Sequence, residues 1–305
     1  MMRVKRYAEL VCNGLEVRIK NRTITKLKSM MLLEIMRRVS QQNQFITEEH
    51  PKKAYCLYFS LDDSNNELMP RLIAADQKIT INQALFPKTI KDKPVILDKR
   101  RQGVENLKKN AEYFSMFDAN EGQTIQHIEA TMANIHQQLE MVAPGEFQMV
   151  VLIDNFHDVS VDPVLKGYTE DNPRYDYISG RLNELAIEYD SPIICSAEFK
   201  KISTLKRADE SEIKSTGKII YEAKGIILVY NEVGVRGENA DIYWNLGSND
   251  GVAEDRKMPV FEMHISKNKF NSYKGRKFLK FMPEMASFFE PSDEEETIFQ
   301  QMMKG

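Results

Sequence analysis

The sequence predicts an α/β fold: one domain with a mostly parallel central sheet, flanking helices and antiparallel C-terminal edge strands. Two observations lead to this fold class. Strand-like apolar runs alternate with helical segments to about residue 230, and hairpin-like runs follow. The clearest run, residues 149–153, is apolar without a break and ends at Asp154. Such a run is typical of a strand buried on both faces of a parallel sheet.

Composition narrows the class of protein. Of the 305 residues, 42% are hydrophobic and 29% are charged, which is an ordinary balance for a soluble protein. Without a long apolar run or an apolar signal core, we expect no membrane span and a cytoplasmic location. The three cysteines cannot all pair, so Cys56 and Cys195 are expected to be buried free thiols. The histidines and cysteines show no zinc-ligand spacing. With a net charge of −3, nucleic-acid binding would need local basic patches.

The N-terminal part has the layout of a phosphate-binding loop. Residues 1–13 form a basic extension, 14–19 alternate like a short strand, and an apolar helix runs from Met30 to about residue 41. Between them lies a loop that ends in Lys28-Ser29. Strand, loop and helix in this order place phosphate at a helix N-terminus. Lys-Ser before a helix is also a common chance pairing, and an ordinary strand–helix turn is the alternative.

This loop departs from the consensus Gly-x-x-x-x-Gly-Lys-Ser/Thr. Arg22 and Leu27 stand where the two glycines are needed, with Thr25 between them. Glycine allows the tight turn that brings backbone N–H groups onto phosphate, and Leu27 is expected to crowd the phosphate. Lys28 remains able to reach the β- and γ-phosphates, and Ser29 remains able to bind Mg²⁺.

Two acidic residues follow buried strands. Residues 54–61 form one strand, and Asp62 after it is placed to act as a general base for an attacking water. Asp63 or Ser64 would equally well cap the next helix. Asp154 would hold the Mg²⁺ of a nucleotide or cap a turn. Residues 65–147 between the two strands look mainly helical, most clearly over 123–142.

The remaining chain contributes two polar loops and the last strands. Residues 157–173 are expected to form a mobile loop, followed by a helix over 174–189 and a strand over 192–197. A second loop, 199–216, carries Lys200, Lys201, Lys206 and Arg207, which are either a solvated face or a phosphate-binding patch. Strands are predicted at 225–230, 259–265 and 277–282. The acidic tail 290–305 is expected to be disordered.

Taken in order, these segments resemble the C-terminal RecA-like motor domain of DnaB-type replicative helicases, from Gly14 to Phe288. Residues 58–62 (Tyr-Phe-Ser-Leu-Asp) resemble the strand that ends in the family's catalytic glutamate, and 151–154 (Val-Leu-Ile-Asp) resemble its Mg²⁺ strand. Residues 196–198 fall where the family has a Ser-Gln γ-phosphate sensor. Residues 207–217 resemble its second DNA-binding loop, and 267–269 (Lys-Asn-Lys) resemble its Lys-Gln-Arg finger.

The resemblance implies a RecA-like P-loop NTPase fold over residues 14–289 that binds ATP and Mg²⁺. It implies single-stranded DNA as a ligand, a homo-oligomeric ring, contacts with other replication proteins, and a bacterial or phage-infected host cell. A counterpart of the family's N-terminal helical domain is not expected. The implied nucleotide-binding residues are Arg22, Thr25, Leu27, Lys28, Ser29 and Asp154, of which Ser29 and Asp154 would bind Mg²⁺. The implied catalytic residues are Asp62, Glu198, Lys267 and Lys269, and the DNA-binding residues are Lys200, Lys201, Lys206 and Arg207.

The departures from the family pattern cluster at the chemistry. Besides the lost glycines, the catalytic glutamate is Asp62, the sensor glutamine is Glu198 and the finger arginine is Lys269. Aspartate is one methylene shorter, Glu198 adds a negative charge near phosphate, and lysine lacks the two-pronged grip of arginine. We therefore expect weakened or lost ATP turnover. The alternatives are a non-catalytic scaffold that binds DNA or docks on an active helicase, and a recombinase-like or regulatory ATPase.

Overall fold

The computed structural model describes residues 27–47, 51–200, 207–214, 217–245 and 256–303. The predicted extension 1–13, the predicted strand 14–19, Arg22, Thr25, Lys201 and Lys206 lie outside these ranges. The side chain of Lys28 is likewise outside the described part of the chain.

A four-stranded parallel sheet forms the centre of the fold. Its strands are β1 (Lys53–Ser60), β2 (Phe114–Asp118), β3 (Phe147–Asp154) and β4 (Ile193–Cys195), in the spatial order β2-β1-β3-β4. All neighbouring strands are parallel, and Ser60 pairs in register with Asp154 on one side and Asp118 on the other. The carboxyl ends of β1, β2 and β3 therefore meet at one edge of the sheet, where ligands of open α/β sheets bind.

Helices cover both faces of this sheet. The described helices are α1 (Leu27–Gln42), α2 (Asn65–Gln77), α3 (Ile81–Leu85), α4 (Pro94–Asn110), α5 (Ile125–Val142), α6 (Asp171–Glu188), α7 (Lys218–Glu222), α8 (Glu232–Arg236) and α9 (Asp293–Met302). Successive strand residues point to opposite faces, so Leu57 and Phe59 pack with α5 and α6, whereas Cys56 and Tyr58 pack with α1 and α2. Because both faces are buried, β1 and β3 are apolar runs rather than alternating ones.

The later strands form a second, antiparallel sheet. β5 (Gly225–Tyr230), β7 (Lys257–Asn268), β8 (Gly275–Met282) and β9 (Ser287–Phe289) follow in spatial order, and β6 (Tyr243–Asn245) pairs with β7. One face of this sheet packs on the start of α1, where Leu27 and Met30 contact a cluster that includes Phe261 and Phe281. The predicted fold class is confirmed, with the antiparallel strands hydrogen-bonded into a sheet of their own.

Three segments add to or differ from the sequence predictions. The stretch 65–147 is mainly helical, as expected, and it also contains the edge strand β2 beside β1. The acidic tail was expected to be disordered, but residues 293–302 form α9, whose N-terminus is closed by a capping box between Ser292 and Glu295. Helix α6 begins at Asp171 rather than at residue 174. Acidic side chains in the first turn of α9 favour that helix because they face its positive dipole end.

Candidate nucleotide site

Asp154 lies at the last position of β3, with its side chain almost fully buried at 2% exposure. Both of its carboxylate oxygens accept hydrogen bonds from hydroxyl groups. Ser196 Oγ donates to Oδ1 at 2.5 Å, and the Tyr58 hydroxyl donates to Oδ2 at 3.3 Å. A buried carboxylate is costly unless such donors satisfy it, so these two hydroxyls hold Asp154 in place at the ligand edge of the sheet.

Tyr58 links this carboxylate to the first turn of α1. Its ring is fully buried in β1, and its hydroxyl lies 3.5 Å from the backbone carbonyl oxygen of Ser29 as well as near Asp154. Burial, together with the neighbouring Asp154 carboxylate, raises the pKa of Tyr58 well above its ordinary value. The phenol therefore stays protonated and remains a hydrogen-bond donor. The beginning of α1 and the end of β3 are thus side by side, as a phosphate-binding loop and a Mg²⁺ aspartate require.

The donor set at this point is suited to Mg²⁺. Asp154 and the buried Ser29 offer a carboxylate and a hydroxyl, which are hard oxygen ligands. No group of three or more His, Cys, Asp or Glu residues within the described ranges could hold a metal ion by itself. Mg²⁺ ordinarily takes one or two protein oxygens and completes its shell with water and substrate phosphate, so the two residues fit this ion.

Leu27, the first residue of α1, is 4% exposed. Its side chain packs in the hydrophobic cluster beneath the antiparallel sheet, with Met30, Phe261 and Met263. The expectation that Leu27 crowds the phosphate is therefore wrong, because the side chain is turned into the core. What the leucine removes is the conformational freedom of glycine at this position.

Asp62 lies two residues beyond the end of β1 and is exposed at the same sheet edge. Its neighbour Asp63 has a different role, since it forms an ion pair with the buried Arg71 at 2.5 Å and its carbonyl oxygen accepts a hydrogen bond from Ser60 Oγ. Ser64 is the N-cap of α2, and its backbone N–H donates to Glu67 at 3.0 Å. The helix cap thus falls on Ser64, and Asp62 is left facing solvent.

Glu198 stands two residues beyond Ser196 in the segment that follows β4. Ala197 between them is fully buried in the core, whereas the Ser196 hydroxyl donates to Asp154. The backbone N–H of Glu198 donates to His157 Nδ1 at 3.0 Å. The backbone of Glu198 is therefore linked to the turn that follows Asp154.

Sequence reasoning did not single out Tyr58 or His157. The available signal for Tyr58 was a tyrosine in the middle of a buried strand, whose hydroxyl needs a partner. The signal for His157 was weaker, because its partners lie on two other segments. His157 is 5% exposed, and its Nε2 contacts the carbonyl oxygen of Lys214 at 2.6 Å.

Lys267 and Lys269 lie at the end of β7, against the C-terminal end of α7. Lys267 Nζ donates to the carbonyl oxygens of Ile220 and Tyr221, and Lys269 Nζ donates to that of Tyr221 at 3.1 Å. Burial and the nearby Lys269 ammonium lower the pKa of Lys267. In this chain the two ammonium groups satisfy the last carbonyls of a short helix, which is a favourable place for cations.

We call the second polar loop, residues 199–216, the basic loop. The structure describes residues 199–200 and 207–214 of it. Lys200 is exposed, and its Nζ donates to the carbonyl oxygen of Ser211 at 3.2 Å. Arg207 instead forms ion pairs with the buried carboxylates of Glu262 at 2.7 Å and Glu232 at 3.2 Å. Its guanidinium also lies 4.7 Å from the centre of the Tyr230 ring. Arg207 therefore anchors the loop to the antiparallel sheet.

A parallel sheet with an acidic strand end beside the first turn of a helix, joined to an antiparallel sheet, defines the RecA-like class of ATPase folds. The chain matches the family model of the DnaB-like helicase C-terminal domain over residues 25–290, and it belongs to that family. The comparison with curated protein sequences gave no match. Helices long and apolar enough to cross a membrane are not found in the part of the chain that the structure describes.

Two solved structures show the same fold at low sequence identity. One is a DnaB-like replicative helicase described with its interactions with primase, which is 17% identical with a TM-score of 0.69. The match covers 93% of this chain, which spans 58% of the length of that helicase. The other is a solved ATPase domain, also 17% identical, with a TM-score of 0.68 over 92% of this chain and 85% of that one.

Proposed function

We propose that this domain binds Mg-ATP at Asp154 and the first turn of α1, binds single-stranded DNA, and turns ATP over weakly or not at all. The observation that carries the proposal is the buried Asp154 carboxylate, held by Ser196 and by Tyr58, whose hydroxyl also contacts Ser29. This arrangement preserves a charged oxygen site beside a helix N-terminus, which favours a magnesium-bound phosphate.

Ser29 and Asp154 would hold the Mg²⁺ ion, which neutralises phosphate charge when bound. Lys28, the second residue of α1, would pair with the β- and γ-phosphates. The buried hydroxyls of Tyr58 and Ser196 keep the Asp154 carboxylate fixed without adding charge. The charged and polar groups that would attract a magnesium-bound phosphate are therefore present. The cradle of loop N–H groups, which depends on glycine, is altered.

The side chains expected to act on a water molecule are less well suited. Asp62 is shorter than the glutamate it replaces, and water positioning tolerates little displacement. Glu198 stands where the family has the sensor glutamine and would bring a negative charge toward an anionic phosphate. Lys269 stands where the family has the finger arginine. Its ammonium group is a point charge and lacks the two-pronged guanidinium of arginine. Together these features support slow hydrolysis or none.

The test compares Mg-dependent binding of a fluorescent ATP analogue by the unaltered chain and by Asp154→Asn. Loss of the charge should weaken binding about tenfold or more, since contacts with charged groups contribute about 1.5–3 kcal/mol. The matched control is Asp190→Asn, an exposed aspartate just before β4, at the opposite edge of the sheet, whose positive φ asparagine tolerates. Rapid, DNA-stimulated hydrolysis that Lys28→Ala abolishes would contradict the proposed loss of turnover.

For DNA, the proposed contacts are Lys200, Lys201 and Lys206, with Arg207 as the anchor of their loop. These lysines would bind backbone phosphates, so affinity should be tolerant of sequence and should fall steeply with salt. Replacing Lys201 and Lys206 with alanine should make the DNA affinity fall less steeply with rising salt concentration. The affinity is measured by fluorescence anisotropy of a labelled oligonucleotide. An unchanged affinity and slope would remove this loop from the DNA site.

A second candidate is a non-catalytic scaffold that docks on an active replicative helicase. The observation in its favour is that Lys267 and Lys269 already pair with carbonyls of α7 in the same chain. In a ring of identical subunits, these lysines would instead reach the neighbour's phosphates. Light scattering at high protein concentration distinguishes the two, because nucleotide-dependent self-association supports the ring and a strict monomer supports the scaffold.

A further inference from the structure

His157 occupies the base of the basic loop. The two ends of that loop are paired with each other: Lys200 N–H donates to Glu212 O at 2.7 Å, and Lys214 N–H donates to Glu198 O at 2.9 Å. Phe199 and Ile213 form an antiparallel bridge between these bonds. We call the paired segments 198–200 and 212–214 the loop stem.

One imidazole ring is hydrogen-bonded to both strands of this stem. His157 Nδ1 accepts the N–H of Glu198 at 3.0 Å, and its Nε2 contacts the carbonyl oxygen of Lys214 at 2.6 Å. A carbonyl can only accept, so the neutral ring carries its proton on Nε2. The ring is buried and stands edge-on to Tyr175 at 4.8 Å and to Phe156 at 5.3 Å, which fixes its orientation.

The same histidine is tied closely to the nucleotide-site strand. It lies three residues after Asp154, within a short turn in which Asn155 Oδ1 accepts the His157 backbone N–H at 3.0 Å. The backbone N–H of Phe156 donates to Ser196 O at 2.8 Å, and Ser196 also donates to Asp154. Few flexible bonds therefore separate the Asp154 carboxylate from the base of the basic loop.

We infer that His157 is a positioning residue that couples the nucleotide site to the basic loop. A shift of the turn after Asp154 on nucleotide binding would move the imidazole and, with it, both strands of the stem. By linkage, a ligand that fixes the loop must alter nucleotide affinity by the same factor. This inference rests on the proposed function, since it requires that the domain bind both ligands.

The test measures the coupling itself in the full chain. The affinity for a fluorescent Mg-ATP analogue is determined with and without saturating oligodeoxythymidylate, and the ratio of the two values is the coupling factor. For the unaltered chain we expect a factor of about 5 or more, within the usual range for linked sites. His157→Ala should bring it close to one while each ligand still binds by itself. His157→Gln should restore much of it, because an amide can accept from Glu198 and donate to Lys214.

Two controls separate a coupling role from a merely structural one. His136→Ala removes a partly exposed histidine on α5 that contacts Tyr189, and it should leave the factor unchanged. Tryptic cleavage within the basic loop, mapped by mass spectrometry, should accelerate in His157→Ala and return toward normal in His157→Gln.

The outcomes are distinguishable. If the unaltered chain binds neither ligand, the proposed function is wrong and the coupling falls with it. If it binds both ligands with a coupling factor near one, the proposed function stands and the coupling is refuted. A factor that is unchanged in His157→Ala, even with faster cleavage of the loop, would show that the histidine only braces the stem.

Discussion

The ion pair between Arg71 and Asp63 gives the sharpest prediction about stability. Arg71 lies on α2 with 3% of its side chain exposed, and its Nη1 is 2.5 Å from Asp63 Oδ2 in the turn after β1. Replacing Arg71 with methionine keeps much of the buried stem but leaves the Asp63 carboxylate without its charge partner. Removing one member of a buried pair typically costs about 3–5 kcal/mol.

Partial exposure of Asp63 places the expected loss at the lower end of that range, because 14% of its side chain still reaches water. We therefore expect the free energy of unfolding to fall by about 3 kcal/mol in Arg71→Met. Adding Asp63→Asn removes the stranded charge, so the double variant should recover a large part of the loss. Urea denaturation of the two single variants and the double variant gives the coupling energy of the pair.

The same substitution at Arg181 is the matched control. Arg181 pairs with Glu129 at 2.5 Å on the surface, with 25% of its side chain exposed, so Arg181→Met should cost no more than about 1 kcal/mol. If Arg71→Met were as mild as this control, or if the double variant lost the sum of both single losses, the reasoning about the buried pair would be refuted.

Three further predictions follow from other sites. Burial opposes ionisation of Glu34, but hydrogen bonds and charge from neighbouring arginines outweigh it and lower its pKa. Its contribution to stability is therefore present above the ordinary carboxyl pKa and is lost as pH falls through the lowered value, so Glu34→Gln should flatten the acid side of the stability curve. Burial raises the pKa of Cys56 and Cys195 to about 12, so neither thiol should be labelled by iodoacetamide at neutral pH until the protein unfolds, as peptide mass spectrometry would detect. Ser196→Ala removes one of the hydroxyl donors to Asp154 and should weaken Mg-dependent nucleotide binding about tenfold, measured by titration, while an unchanged affinity would show that this bond does not set the site.

The central strands could be predicted because their burial leaves a direct mark on the sequence. β1 and β3 are covered on both faces, and each appears as a continuous apolar run. β2 is at the edge of the sheet, is five residues long and buries only Phe114, so no comparable run identifies it. Its strand structure depends on pairing with β1, which is distant in sequence.

The place of Asp154 at the end of a central strand was predictable from the sequence, but its contacts were not. The run that ends at Asp154 located the acidic residue, whereas the hydroxyl donors come from Tyr58 and Ser196, which are 96 and 42 residues away. Arg207 was counted as a cation for DNA because its charge was visible in the sequence. Its carboxylate partners lie 25 and 55 residues away, so only the fold shows that the charge is already paired.

In the C-terminal segment, residues 290–305, a helix-capping pattern outweighs the acidic run that suggested disorder. Four consecutive acidic residues, 293–296, suggested disorder through their charge. The same residues follow Ser292, and serine with glutamate three positions later is the pattern that begins a helix. Lys277 and Lys280 on β8 then pair with Glu296 and Glu295, so the charges dock the helix on the antiparallel sheet.

The burial of Leu27 also sets the stability cost of restoring the glycine consensus in the loop. The side chain at this position is part of the core under the antiparallel sheet. Removing a buried leucine side chain costs about 2–5 kcal/mol, and glycine in place of alanine within a helix adds up to about 1 kcal/mol. Glycine at position 27 would thus lower stability before it could improve phosphate binding. A variant that restores the glycine consensus therefore needs stabilising changes elsewhere in the core.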